Sequence, residues 1–327
     1  MAHHFRKIAI FGSIALVVSL FFIFLSLYFF LRGAFVVEKR PVTFGASYMT
    51  MDNQYFEVLN SQIANLVEAN GDILIARDGV DSQERQNEQI LDLLNAGADF
   101  IFINPVDKSL CLGALSECER KKVPFLAVDS SIFDTKEFSM CVGTAEADNE
   151  MAGELIAQDL MQSLKKARLV VLYDKDIEST CTRLSSFLSA LDEAKYPYEI
   201  VYSISATTLL HETMVESQKF LDLRIPFDAL FAANDPSALG ALAAIQNNNA
   251  FSNQLIYGID GSPQAKTMVS QGFMKATAAQ YPSAIARTAV NAAYKYLLTK
   301  EKCGDVKIPV RLLTRENIAE TTLTGWQ

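Results

Sequence analysis

From Val42 onward the chain alternates two hydrophobic rhythms: short runs that are apolar on consecutive positions, and longer stretches with an apolar residue every third or fourth place. The first rhythm predicts strands covered on both faces, the second amphipathic helices. A strand is expected at Val42 to Tyr48, a helix from Asp52 to Asn70 ended by Gly71, a strand at Ile73 to Ala76 and a helix from Ser82 to Gly97. The strand Phe100 to Ile103 stops at Asn104-Pro105; a helix through Leu110 to Lys121, a strand Phe125 to Val128 and a crossing segment Phe138 to Val142 complete one doubly wound lobe. The theme then restarts. Helices are expected at Ala147 to Ser163, Glu178 to Ala194, Leu210 to Leu223, Ser237 to Asn247 and Pro263 to Gln271, and strands at Leu169 to Tyr173, Ile200 to Ile204, Ala229 to Ala232, Leu255 to Gly258 and Lys275 to Ala278. The last long helix, Ala284 to Leu298, returns to the first lobe, so more than one strand crosses between lobes and the connection is a hinge.

The fold expected is therefore α/β, with two doubly wound parallel-sheet lobes: residues 41–142 with 281–303, and residues 143–280 with 304–327. Polar clusters recur where strands stop, at Asn53 to Phe56, Asp129, Asn234-Asp235, Asp260 and Gln280. In open parallel sheets ligands sit outside the carboxyl ends of the strands, so these distant segments converge on one small-molecule cleft.

Residues 1–40 carry a different signal. No charge occurs from Ile8 to Leu31, a run long enough as a helix to cross a hydrocarbon core of about 30 Å. An uncleaved transmembrane anchor is expected; the alternative is a cleaved signal, although Arg32 precedes Gly33-Ala34 where small residues should stand alone. Positive residues lie on both flanks, Arg6-Lys7 before and Arg32, Lys39 and Arg40 after, so orientation rests on the short tail, which favours amino terminus in and the folded part outside.

Composition removes several classes. A net charge of -9 with no basic stripe argues against nucleic acid. Five cysteines with no Cys-x-x-Cys make a poor disulfide framework, and Cys111 and Cys118, seven apart on a helix, read as small buried hydrophobes. Two of the three histidines, His3 and His4, precede the apolar run, and His211-Glu212 lacks the second histidine of a zincin helix, so zinc and histidine-triad chemistry lack their parts. No Gly-x-Gly-x-x-Gly and no Gly-Lys-Ser/Thr occurs. A non-enzymatic binder without cofactor is expected.

The segment Met51-Asp52-Asn53-Gln54-Tyr55-Phe56 resembles the first binding loop of the ribose-type periplasmic sugar-binding proteins. It is followed in order by Gln89-Ile90 with Ile103-Asn104-Pro105-Val106-Asp107, Pro124 to Asp129, Phe231-Ala232-Ala233-Asn234-Asp235 with Leu239-Gly240-Ala241, Gly258-Ile259-Asp260-Gly261 and Ala279-Gln280-Tyr281-Pro282. The resemblance covers Val42 to Leu313 and implies a monosaccharide ligand. A sugar ring has apolar faces and an equator of hydroxyls. Tyr55 and Phe56 are then stacking surfaces, Asn53, Asn234 and Gln280 a polar girdle, and Asp129 and Asp260 carboxylates that each accept from two hydroxyls. Arg183 falls where the family places a guanidinium from the second lobe. Two departures stand out. Ser130 occupies the place after the fourth-strand carboxylate where the family commonly has Arg, which puts ribose itself in doubt. The region of the usual second-lobe aromatic holds Leu209, Leu210 and His211, and no residue is assigned to that wall.

Taken singly the same residues have plainer readings: Tyr55 and Phe56 as a hydrophobic staple, Asp52 as a helix cap, Asp260-Gly261 as a turn, Arg183 as a solvated helical charge, and Asp235 as cap beside Asn234 as ligand. The resemblance implies a membrane-anchored extracytoplasmic protein that captures a monosaccharide by hinge closure and delivers it to an ABC transporter permease. The alternative is a tethered sensor that reports occupancy to a membrane receptor such as a sensor histidine kinase. LacI-type repressors share the lobe pair but carry a helix-turn-helix where this chain has its apolar run.

Overall fold

The computed structural model describes residues 16–29, 40–132, 138–204, 209–248 and 253–327. The chain forms two compact units, Met1–Pro41 and Val42–Gln327. In the first, residues 16–29 are helical (α1) with exposed apolar side chains. At 1.5 Å per residue these 14 positions span about 21 Å; the rest of the expected span, residues 8–15 and 30–31, lies outside the described residues. Among the described residues no helix is long and apolar enough to cross a membrane.

The second unit holds two six-stranded sheets. The first is built from β1 (Thr43–Tyr48), β2 (Ile73–Asp78), β3 (Phe100–Ile103), β4 (Phe125–Val128), β5 (Cys141–Ala147) and β11 (Gly304–Ile308), in the order β11-β5-β4-β3-β1-β2. The second uses β6 (Ala167–Leu172), β7 (Tyr198–Ile204), β8 (Ala229–Ala232), β9 (Leu255–Asp260), β10 (Ala276–Ala279) and β12 (Arg311–Thr314), in the order β12-β10-β9-β8-β6-β7. All pairings are parallel except β12 on β10. Every residue of β3, β4 and β8 is buried, as helices on both faces of a parallel sheet require.

The first lobe takes helices α2 (Gln54–Glu68), α3 (Gln83–Asn95) and α4 (Leu112–Lys121); the second takes α5 (Asn149–Ser163), α6 (Glu178–Glu193), α7 (Leu210–Asp222), α8 (Asp235–Gln246) and α9 (Pro263–Gln271). The long helix α10 (Pro282–Thr299) packs against α2 and β5. Buried Ala286, Ala289 and Ala293 give it a flat face, and Tyr294 sets its ring on Phe44 at 5.2 Å while its hydroxyl donates to Asp72 at 2.6 Å. Cys111 and Cys118 are buried, as their spacing predicts.

The chain passes between sheets three times: from β5 to α5, from β10 to α10 and from β11 to β12. Two expected lobe boundaries fall inside or against first-sheet elements. The 142/143 boundary cuts β5, which pairs with β4 and β11 as far as Ala147, and β11 begins at Gly304, where the second lobe was expected to resume. β5 reads Cys-Val-Gly-Thr-Ala-Glu-Ala, with small and charged residues in place of an aliphatic run, and the exposed edge strand β11 reads Gly-Asp-Val-Lys-Ile. Neither carries the pattern that marks a covered strand, and β11 and β12 were not expected at all.

Candidate functional site

Each sheet reverses its order between its first and third strands, and the crevice at such a reversal is where loops from the carboxyl ends meet. A cavity of about 390 Å³ lies there between the lobes, within the range of about 300–1,000 Å³ typical of small-molecule sites. All eight residues singled out in the sequence line it: Asn53, Tyr55, Phe56 and Asp129 from the first lobe, Arg183, Asn234 and Asp260 from the second, and Gln280 at the crossing into α10.

Two of the helix starts differ from expectation. Asn53, not Asp52, caps α2: its backbone is extended and its Oδ1 accepts from Tyr55 N at 3.0 Å. Asn234, not Asp235, caps α8, its Oδ1 accepting from Ser237 N at 2.9 Å. Asn53 and Asn234 thus hold their helices with the carbonyl oxygen and both line the cavity. Asp235 is instead buried beside the site. Its Oδ1 accepts from Thr277 Oγ1 and its Oδ2 from Ser262 N, both at 2.7 Å.

Tyr55 and Phe56 serve as both core and wall. They are nearly fully buried and packed edge to face at 5.4 Å, and their cavity side is apolar. Arg183 is not a solvated charge but only 4% exposed. Its Nε donates to Asn149 Oδ1 at 2.7 Å, its Nη1 donates to the Ala233 carbonyl at 2.8 Å, and Nη1 stands 3.6 Å from Asp260 Oδ1. Asp260 also accepts from Gln280 Nε2 at 2.7 Å and from Asp235 N at 3.2 Å, and the Tyr55 hydroxyl donates to Gln280 Oε1 at 3.3 Å. A hydrogen-bonded chain therefore runs from Tyr55 of the first lobe through Gln280 to the Asp260 carboxylate of the second, which the ion pair extends to Arg183.

Both carboxylates sit on backbone that side chains rarely adopt, φ 66° at Asp129 and φ 140° at Asp260. Positions of this kind cost of order 1–3 kcal/mol each and persist where the fold over-determines them, commonly at ligand sites. Burial pushes the Asp129 carboxyl up from its ordinary range, against the opposing pull of Arg183. Burial and then the neighbouring Asp235 charge push Asp260 up as well. Burial, reinforced by the nearby charge of Asp129, raises Glu146 on β5 to about 7. In each case the folded chain holds a proton that the unfolded chain has already released, so the stability these protons contribute is present at low pH and lost as pH rises through the folded values. Melting temperature of the ligand-free protein is expected to fall between the ordinary carboxylate range near ~4 and about 7, and Glu146→Gln should flatten that slope in thermal melts.

Trp326 and Gln327, which carry no local motif, complete the site from behind. Trp326 sets its ring on the back of Tyr55 at 5.6 Å. Gln327 Nε2 faces three carbonyls, those of Asp260 at 3.2 Å, Gly261 at 3.2 Å and Gln280 at 2.8 Å. This single amide ties the strained β9 end to the β10 crossing. Loss of one or two neutral hydrogen bonds, about 1 kcal/mol each, predicts that Gln327→Ala lowers stability by about 1–2 kcal/mol, read by urea unfolding, while ligand affinity falls less than in variants of the cavity lining itself. The rim adds Asp81, Asp174, Asp176 and Glu212, which the sequence pattern did not single out, and Leu209 stands on the wall left unassigned.

A sequence profile of the periplasmic binding protein domain matches residues 44–302. The ribose import binding proteins of Bacillus subtilis and Haemophilus influenzae are 28% and 29% identical to this chain, over 85% and 83% of it and 89% and 90% of their own lengths. Two solved structures superpose closely. A solute-binding protein from Bacillus halodurans with bound myo-inositol has a TM-score of 0.79 at 20% identity, covering 85% of this chain and 96% of its own. A galactofuranose-binding protein has a TM-score of 0.79 at 24% identity, covering 86% and 97%.

Proposed function

Because the chain belongs to the periplasmic binding protein family, we propose that it captures a monosaccharide-like polyol between its lobes outside the cytoplasm and delivers it to an ABC transporter permease. The observation that carries this reading is convergence: eight residues from six separate segments meet in one cavity whose chemistry suits a hydroxylated ring. Tyr55 and Phe56 supply the flat apolar surface. Asp129 and Asp260 accept from hydroxyls, Arg183 donates to ring or hydroxyl oxygens, and the amides of Asn53 and Asn234 line the ring edge. Gln280 joins the lobes through Tyr55 and Asp260 and thereby couples the two halves of the pocket.

Capture proceeds by closure. A ligand that touches both lobes binds the closed form better, through the additional interactions it makes there, and so shifts the population toward it. The three inter-sheet connections serve as the hinge, and the ion pair of Lys108 in the first lobe with Glu178 in the second forms only when the lobes meet. Closure is the output that a permease reads. The apolar run from Ile8 to Leu31 serves as the membrane tether, with the second unit on the outer side. That tether also favours a second reading, a sensor that presents the same closed form to a membrane receptor such as a sensor histidine kinase; capture is common to both.

Trp326 is the single tryptophan and rests on Tyr55, so its emission reports on the pocket. Titration of the full chain in detergent with pentoses, hexoses and inositols should change tryptophan fluorescence saturably for one class of polyol. No saturable change across the panel, from folded protein, would remove the sugar-capture reading.

A further inference from the structure

We propose that the polyol captured here bears a protonated amine, an amino sugar or aminocyclitol, and is held by hydroxyl contacts at the buried end and by carboxylates at the mouth. The inference rests on the sugar-capture reading and deepens it. Among the described lining residues, six are carboxylates, Asp81, Asp129, Asp174, Asp176, Glu212 and Asp260, against the single guanidinium of Arg183. Of the lysines in the adjoining grooves, Lys108 pairs with Glu178 and Lys307 with Glu150, while Lys175 lines a groove outside the cavity. No lysine lines the cavity itself among the described residues.

The arrangement of the six matters more than their number. Inside, Asp129 and Asp260 are buried, and Arg183 lies within ion-pair distance of Asp260. At the rim, Asp81 belongs to the first lobe and Asp174, Asp176 and Glu212 to the second, and all four line the same cavity. Like charges therefore face each other across the cleft. A neutral sugar can fill the hydroxyl contacts, but closing over it brings carboxylates together with no counter-charge; an ammonium on the ligand supplies that charge at the moment of closure. The aromatic wall of Tyr55 and Phe56 and the amides at the inner end keep the requirement for a hydroxylated ring, so a bare amine does not satisfy the site.

The test is calorimetric titration of the full chain in detergent with matched sets: glucose, glucosamine and N-acetylglucosamine; galactose and galactosamine; myo-inositol and an amino-deoxyinositol; and putrescine. The free-amine member of at least one set should bind at least about tenfold more tightly than its neutral parent, as a charge-assisted contact provides, with N-acetylation removing the gain. Its advantage should shrink in high salt and in the double variant Asp81→Asn with Asp174→Asn. A neutral parent that binds as tightly as its amine overturns the inference and leaves sugar capture standing. Binding of putrescine without any sugar overturns both, and no binding by any of these compounds overturns the inference, with a parallel titration of pentoses deciding whether sugar capture falls with it.

Discussion

Replacing Arg183 with alanine is expected to produce the largest loss of function of any single substitution in the cleft. The guanidinium is fixed by Asn149 and the Ala233 carbonyl and lies 3.6 Å from Asp260, so its removal takes a pre-oriented donor from the ligand and leaves a buried carboxylate without its cation. Breaking a buried charge pair from one side, together with a charged hydrogen bond, costs about 3 kcal/mol, and the same donor lost from a bound ligand weakens affinity by about 100-fold or more. The stability cost depends on pH. With Asp260 already pushed up by burial and Asp235, acid neutralises it and reduces the cost, so the deficit of the variant should grow as pH rises. Urea unfolding at low and neutral pH reads the first effect and calorimetry the second. An Arg183→Ala protein with unchanged affinity and stability would return the side chain to a bystander role.

The second large effect comes from a position with no polar atom to lose. Gly153 on α5 faces α6, and a Cβ there would lie 2.2 Å from the Arg183 carbonyl oxygen and 2.2 Å from Ser186 Oγ, with Phe187 N at 2.7 Å. Backbone cannot yield as a flexible side chain can, so Gly153→Ala must push α6 away from α5. Overpacking of this kind costs about 1–3 kcal/mol. The displaced segment carries Arg183 itself, so affinity should fall along with stability. The control is Gly113→Ala, where a Cβ meets nothing within 4 Å. Equal behaviour of the two variants in chemical unfolding would contradict the close packing of α5 on α6.

Legibility followed the physical origin of each signal. The strands β3, β4 and β8 were readable because a doubly covered strand must be apolar throughout, and a four-residue run such as Phe-Ile-Phe-Ile between turn residues suits little else. Seven of the eight cavity residues were readable because an open parallel sheet collects its ligand groups at strand ends, where polar residues interrupt the apolar pattern. Arg183 was different: a lone arginine on a helix has no local mark of burial, and only the family resemblance placed it in the cleft. The caps went to Asn53 and Asn234 in place of the neighbouring aspartates because the extended backbone falls one residue away from where composition alone would put it.

Elements held by long-range contacts were not readable. β11 and β12 are short edge strands whose polar residues face outward, and they exist because β5 and β10 offer open edges. Trp326 and Gln327 touch the site across more than 40 positions of sequence, with Gln327 bonded to Gln280 and Asp260, and nothing in their own neighbourhood announces the contact. The rim carboxylates look like ordinary surface charge until the two lobes are set face to face.

Capture of a polyol between the lobes is the central claim, and calorimetric titration of the full chain against pentoses, hexoses, inositols and their amino derivatives tests it most directly. One member should bind one to one, with affinity lost in Arg183→Ala. Absence of heat for every compound, from protein that melts cooperatively, would contradict it.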